Sequence, residues 1–130
     1  MLSKLTNLKP DIFYVQLYKN KFIVRNMVTD KEMSMAREAA GLSPRMILPN
    51  VNLAHQQLTP LFALLATSYR PAYCLFHPRQ LIEGGITTVE RDAFSELGHR
   101  LLGKKGHIML SDSPTDLTKA QLLLATLSFA

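Results

Sequence analysis

Residues 12–28 have the sequence IFYVQLYKNKFIVRNMV, and this stretch decides the fold. β-Branched and aromatic residues dominate residues 12–18 and 21–28, which is typical of β-strands. Lys19 and Asn20 separate the two runs, and Asn tolerates the positive φ of a tight hairpin turn. The stretch therefore predicts an antiparallel hairpin.

A third strand is predicted directly after this hairpin. Residues 29–31 (TDK) form the expected turn, and residues 32–36 (EMSMA) alternate polar and apolar side chains, as a half-exposed strand does. Residues 1–10 are a short lead-in that ends at Pro10. The chain thus opens with a three-stranded meander.

The segment from Leu53 to Ser68 has apolar residues at helical spacing. Pro60 lies inside it, where it either kinks the helix or marks the first turn. Residues 73–76 (YCLF) form a continuous apolar run, as expected for a buried central strand, and His77-Pro78 is expected to stop it.

A second helix is predicted to start at Thr87, because Glu90 follows at the spacing of a capping box. Gly103 and Gly106 end this helix. A strand over 108–110 and a final helix over 115–127 complete the order β-β-β-α-β-α-β-α. Strands separated by helices pair in parallel, so the hairpins and the two later strands predict a mixed sheet.

Composition indicates one soluble domain covering residues 1–130. Of these residues, 47% are hydrophobic and 19% are charged, which suits a packed core. Fifteen Lys and Arg against ten Asp and Glu give a net charge of +5, which favours either an anionic partner or an ordinary solvated surface. The first residues lack the apolar core of a signal peptide, and no stretch is long enough for a membrane span, so we expect a cytoplasmic protein.

Recognisable catalytic and cofactor motifs are absent from the sequence. It contains no P-loop, dinucleotide fingerprint or zinc motif, and its one cysteine, Cys74, lies in an apolar run typical of buried residues. Glu90 and Glu96 lie on different faces of one predicted helix. We therefore predict no enzyme, no cofactor and no metal site. The histidines are interpreted as surface or capping residues: His55, His77, His99 and His107.

Several segments carry a resemblance to a known family. They are PAYCLFHP at 71–78, TTVERDAFSE at 87–96, GHIMLSDSP at 106–114 and LPNVN at 48–52. Taken in their order along the chain, these segments resemble the first subdomain of the bacterial actin homologue MreB. That family belongs to the actin and Hsp70 ATPases, whose half-domains have a ribonuclease H-like fold.

A second resemblance is to short YjaA-type proteins, whose members are linked to stress responses. It is carried by YVQL at 14–17, by Asn20 in the first turn, and by EGG at 83–85 before VE at 89–90.

The resemblance to MreB implies a ribonuclease H-like mixed five-stranded sheet in the order 3-2-1-4-5, with about three helices. The family opens with an Asp-hydrophobe-Gly-Thr loop, and here Val15, Leu17 and Tyr18 stand at the matching positions. Because the carboxylate and the glycine are missing, the resemblance implies that nucleotide binding is lost. Val15 also stands where a ribonuclease H would carry its strand carboxylate, and we interpret Asp11 as a turn residue.

Two functions remain open at this point. The first is a non-enzymatic protein-interaction module that self-associates or binds a protein partner, for which the resemblances imply an accessory role in stress response or cell shape. The second is a nucleic-acid-binding protein that uses Tyr18 with Lys19 and Lys21 with Phe22. The candidate interaction surface is Tyr14, Tyr18, Phe22 and Phe129, which could equally be core residues.

Overall fold

The structure, a computed structural model, describes residues 10–37, 47–67, 72–80, 86–113, 117–118 and 121. Most of the predicted final helix over 115–127 and almost all of the lead-in lie outside these residues. No helix in the described ranges is long and apolar enough to cross a membrane. The elements are β1 (Ile12–Leu17), β2 (Lys21–Asn26), β3 (Lys31–Ala36), α1 (Val51–Leu65), β4 (Tyr73–Pro78), α2 (Thr88–Leu102) and β5 (His107–Leu110).

The five strands form one mixed sheet in the order β3-β2-β1-β4-β5. β1 pairs antiparallel with β2, and β2 pairs antiparallel with β3. β1 also pairs parallel with β4, which pairs parallel with β5. The predicted meander, the mixed pairing and the strand order 3-2-1-4-5 are therefore confirmed, with β1 at the centre.

Alternation along the strands divides the sheet into two faces. On the first face, Phe13, Val15 and Leu17 of β1 pack with residues of α1 and α2 in the main core. On the second face, Ile12, Tyr14 and other residues form a smaller cluster against which Leu117 packs. The strand register places Ile23, Gln16 and His77 in one row, and Arg25, Tyr14, Leu75 and Met109 in the next.

β2 ends at Asn26, earlier than the predicted Val28, because the chain turns there. Asp30 adopts a positive φ of 61°, and its amide donates to the carbonyl of Asn26 over 2.8 Å. Arg25 then forms an ion pair with Asp30 over 3.1 Å. The turn is thus stabilised by a left-handed Asp and by a local charge pair.

β4 extends through Pro78, two residues beyond the predicted end at Phe76. Phe76 accepts a hydrogen bond from Ser111 on the β5 side, so by alternation the Pro78 nitrogen also faces that side. The last paired residue of β5, Leu110, lies opposite Phe76. Pro78 therefore sits beyond the end of β5, where a missing N–H breaks no ladder bond.

α1 begins at Val51, with Asn50 as the N-cap whose side chain accepts from the Leu53 amide over 3.0 Å. Pro60 lies in the interior of the helix, so it does not mark the first turn. The Pro60 side chain is exposed, whereas Leu58 and Leu61 are buried.

α2 begins as the capping-box spacing predicts. The Thr87 hydroxyl accepts from the Glu90 amide over 3.2 Å and donates to the Glu90 carboxylate over 3.3 Å. At the other end, Gly103 has a φ of 86°, a conformation that suits glycine. Gly98 lets α2 approach β5, because a Cβ there would collide with the side chain of Ile108.

Candidate interaction site

Tyr18 follows the central strand β1 and lies half-buried in the loop to β2. Its amide donates to the carbonyl of Lys21 over 3.0 Å, which closes the hairpin. The Lys21 ammonium lies 4.9 Å from the centroid of the Tyr18 ring, and the Arg79 guanidinium carbon lies 5.9 Å from it. Both cations are therefore within the range of cation–π attraction to the half-buried ring of Tyr18.

The end of β4 is joined to this loop. The Arg79 amide donates to the Leu17 carbonyl over 2.9 Å, and its guanidinium donates to the Gln16 side chain over 2.7 Å. The Lys19 amide donates to the Gln80 side chain over 2.7 Å. The two strand ends consequently form one connected surface.

Arg37 follows β3 and is a charged side chain held in a mostly buried position, 8% exposed. Its guanidinium donates to the Tyr18 carbonyl over 2.9 Å, and its central carbon lies 4.4 Å from the centroid of the Phe22 ring. Burial lowers the pKa of Arg37 to about 10, so the side chain stays protonated at neutral pH. We use the name basic edge for the end of the sheet where β1, β3 and β4 finish and β2 begins. Its residues are Tyr18, Lys19, Lys21, Arg37 and Arg79.

The electrostatics of the basic edge are one-sided within the described residues. The ion pair in the described part of the chain joins Arg25 to Asp30, and it lies at the opposite end of the β2–β3 hairpin from the basic edge. Lys19, Lys21 and Arg37 have no described carboxylate within ion-pair distance. Clustered cations of this kind raise the local concentration of anionic groups.

The structure separates the residues that the sequence put forward as an interaction surface. Tyr18 is half-buried with an accessible portion, whereas Tyr14 is 5% exposed and lies in the cluster on the second face. Phe22 has no exposed surface and packs in the main core, so it belongs to the interior and offers no surface for docking. Phe129 lies outside the described residues.

Sequence reasoning missed Arg37 and Arg79. Each is the first residue after a strand, whereas Lys19 lies between β1 and β2 and Lys21 is the first residue of β2. Once the sheet order brings these strand ends to one edge, the four basic residues gather around Tyr18. The available signal was partial, because Lys19 and Arg37 directly follow predicted strands but Arg79 lies three positions after the predicted end of its strand at Phe76.

His77 corrects the interpretation of the histidines as surface or capping residues. It is fully buried, and its Nδ1 lies 2.5 Å from the Tyr14 hydroxyl. Its Nε2 lies 2.8 Å from the carbonyl of Ser113. Because that carbonyl only accepts, Nε2 carries the proton and the Tyr14 hydroxyl donates to Nδ1. The pair therefore anchors the chain after β5 to the second face.

Asp11 is also not a simple turn residue. It is 1% exposed, and its carboxylate accepts from the Thr67 amide over 2.8 Å and from the Thr67 hydroxyl over 2.6 Å. The Asn26 amide group donates to it over 3.0 Å and to the Leu65 carbonyl over 2.9 Å. Asp11 thus ties the start of β1 to the end of β2 and to the chain after α1.

An open cleft of about 320 Å³ lies between α1 and α2. Phe13, Phe62 and Leu101 contribute apolar lining, and Asp11 and Arg100 contribute charges. Both charged groups already have partners, since Asp11 is bonded as described and Arg100 donates to the Asn52 side chain over 2.6 Å. The cleft therefore presents no arrangement of groups that favours a particular ligand.

The main core contains Val15 and Leu17, two of the three residues that the resemblance to the actin family implies for its nucleotide loop. Val15 and Leu17 have no exposed surface and lie on the helix-covered face of β1. Cys74 on β4 is equally buried, and burial raises the pKa of its thiol. In the described ranges, no cluster of three or more His, Cys, Asp or Glu side chains could hold a metal ion.

No family model matches the sequence, and no curated protein matches it.

Proposed function

We propose that this chain is a non-enzymatic protein-interaction module of the cytoplasm, an MreB-like subdomain that has lost its nucleotide site. Its role would be that of an accessory in cell shape or stress response. The strand order β3-β2-β1-β4-β5 supports the ribonuclease H-like assignment, because the resemblance implies this order.

The core supports the loss of nucleotide binding. Metal and phosphate recognition in the actin family requires a carboxylate and a glycine at the end of the first strand. The buried side chains of Val15 and Leu17 occupy those positions here and contribute to folding. The same side chains argue against nuclease chemistry, which needs carboxylates around paired metal ions.

One observation carries the interaction surface. At the end of the central strand, Tyr18 lies close to both Lys21 and Arg79. Tyrosine and arginine are enriched at the energetic centres of protein interfaces. The surrounding positive charge favours a partner with an acidic surface and accelerates the encounter.

The test is site-specific photocross-linking in the native cytoplasm. A photoreactive phenylalanine derivative replaces Tyr18 in one variant and Leu64 in a control variant, since Leu64 is 68% exposed on α1. We expect discrete protein adducts from position 18 that survive nuclease and are absent from position 64. Equal adducts from both positions, or none together with a monomeric protein at high concentration, would contradict the proposal.

Nucleic-acid binding is the second candidate, favoured by the two cations beside the Tyr18 ring. Single-stranded nucleic acids bind to surfaces that combine aromatic rings with Lys and Arg. Such binding weakens steeply with salt, because condensed counterions are released. Fluorescence anisotropy with labelled oligothymidylate, measured across a salt series, tests this candidate. Absence of binding at low ionic strength would exclude it.

A further inference from the structure

Arg37 is a buried cation that has no carboxylate partner among the residues that the structure describes. Its side chain is 92% removed from solvent, yet a carbonyl and an aromatic ring are its contacts among the described residues. Burial of an unpaired charge is costly, and proteins normally offset the cost with a counter-ion. A cation held in this way is suited to bind an anionic group.

We propose that Arg37 anchors an oxyanion-binding site at the basic edge, and that its ligand is a carboxylate of an acidic segment on the protein partner. This inference rests on the proposed interaction function and names the chemistry of the partner. The guanidinium fork matches the two oxygens of a carboxylate, so Arg37 would form a bidentate pair with it.

Two contacts hold the guanidinium in advance of binding. The Phe22 ring supports its plane, and the Tyr18 carbonyl accepts from one terminal nitrogen. Every fully buried polar side-chain atom among the described residues has a partner, so the guanidinium nitrogens without a bonded acceptor reach the surface. Preorganisation of this kind lowers the entropy cost of binding. Phe22 is thus a positioning residue that acts through Arg37.

The neighbouring lysines define a rim around this anchor. Lys19 and Lys21 are exposed, and Lys21 lies one position from Phe22 in β2. Exposed cations of a rim mainly increase the association rate, whereas a desolvated cation at the centre controls dissociation. An acidic segment would therefore place one carboxylate on Arg37 and others near the lysines.

The experiment is a titration of the ¹⁵N-labelled protein with a hexaglutamate peptide at constant ionic strength. The chemical shifts of the Arg37 Nε–H and of the backbone amides of residues 18–20 are followed during the titration. Hexaglutamine is the control peptide, and inorganic phosphate and oligothymidylate are separate ligands. The variants are Arg37→Met, which keeps the apolar contact with Phe22, Arg37→Lys, which keeps the charge, and Arg25→Met, which removes a cation at the other end of the hairpin.

We expect saturable shifts of the Arg37 Nε–H with hexaglutamate and not with hexaglutamine. Arg37→Met should weaken binding by about tenfold or more and Arg37→Lys nearly as much, because an ammonium lacks the fork. Arg25→Met should change the affinity by about twofold or less. The spectrum of each variant reports whether it is folded.

Three results would overturn the inference. The first is that hexaglutamate does not bind. The second is that folded Arg37→Met binds hexaglutamate as tightly as the original protein does. The third is that phosphate or oligothymidylate binds but the peptide does not, which would indicate phosphate recognition. Failure here is distinguishable from failure of the proposed function. If protein adducts still form from position 18 in Arg37→Met, the interaction module stands and the anion site does not.

Discussion

The guanidinium of Arg37 lies 4.4 Å from the ring centroid of Phe22, at the end of the sheet where the polypeptide leaves β3. This contact joins a residue of the core to a residue of the basic edge. It also places a positive charge in a poorly hydrated position, where desolvation lowers its pKa to about 10. Because desolvation of the charge offsets the packing of the side chain, we expect Arg37 to contribute little to the free energy of unfolding.

Arg37→Met is expected to leave the free energy of unfolding unchanged or to raise it by about 1 kcal/mol. A methionine keeps the apolar contact with Phe22 and removes a desolvated charge. Phe22→Leu, by contrast, should lower the free energy by roughly 1–3 kcal/mol, because it leaves space in the core. Urea unfolding measures both, and a loss above about 2 kcal/mol in Arg37→Met would show that the arginine is structural.

Asp11→Ala is expected to cost about 2–4 kcal/mol of stability. It would leave the buried side-chain amide of Asn26 and the backbone amide of Thr67 without this acceptor. Asp112→Ala is the matched control, because Asp112 is an exposed carboxylate after β5, and it should change stability by less than about 0.5 kcal/mol. Thermal unfolding of the two variants, followed by circular dichroism, makes the comparison. Similar melting temperatures would contradict the role assigned to Asp11.

Tyr14→Phe tests the attachment of the chain after β5. It removes the hydroxyl that donates to His77 and that lies 3.4 Å from the Leu117 amide. We expect a loss of about 1–2 kcal/mol and faster hydrogen exchange at the Leu117 amide. Tyr18→Phe is the control, and it should leave exchange at Leu117 unchanged. Unaltered exchange in Tyr14→Phe would mean that other contacts hold this segment.

Cys74 provides a probe of unfolding, because it is the only cysteine in the sequence and is fully buried. Its thiol should react with a disulfide reagent only when the core opens, and labelling should accelerate as denaturant is added. Rapid, stoichiometric labelling of the native protein would contradict the packing of β4 in the core.

The same thiol predicts a pH dependence. Burial raises the pKa of Cys74 above the ordinary value of 9.0, so the folded state disfavours the thiolate. The stability it contributes is complete below the pKa of the unfolded chain and is lost as the pH rises above it. Cys74→Val, which keeps an apolar side chain of similar size, should therefore lose less stability than the original protein between pH 8 and about pH 10. Parallel slopes in urea unfolding would count against this.

The order and type of the elements followed from local patterns. Alternation at 32–36, the continuous apolar run at 73–76 and the Thr87–Glu90 spacing each report on neighbours within one element. Helices between later strands then imply parallel pairing. The ends of elements were less predictable: β2 ended early through the left-handed Asp30, and β4 continued through Pro78 because β5 is shorter.

Partners distant in the sequence were decided by the tertiary structure alone. Asp11 and Thr67 are 56 positions apart, and Tyr14 and His77 are 63 apart, so no local pattern indicates that they pair. The gathering of Arg37 and Arg79 around Tyr18 depends in the same way on the sheet order. Local sequence patterns were enough to identify the strands and helices, since side-chain periodicity reports burial on a single element. Which polar groups are buried and which charges share an edge was decided only when those elements packed, because desolvation and hydrogen bonding depend on the neighbours that the fold supplies.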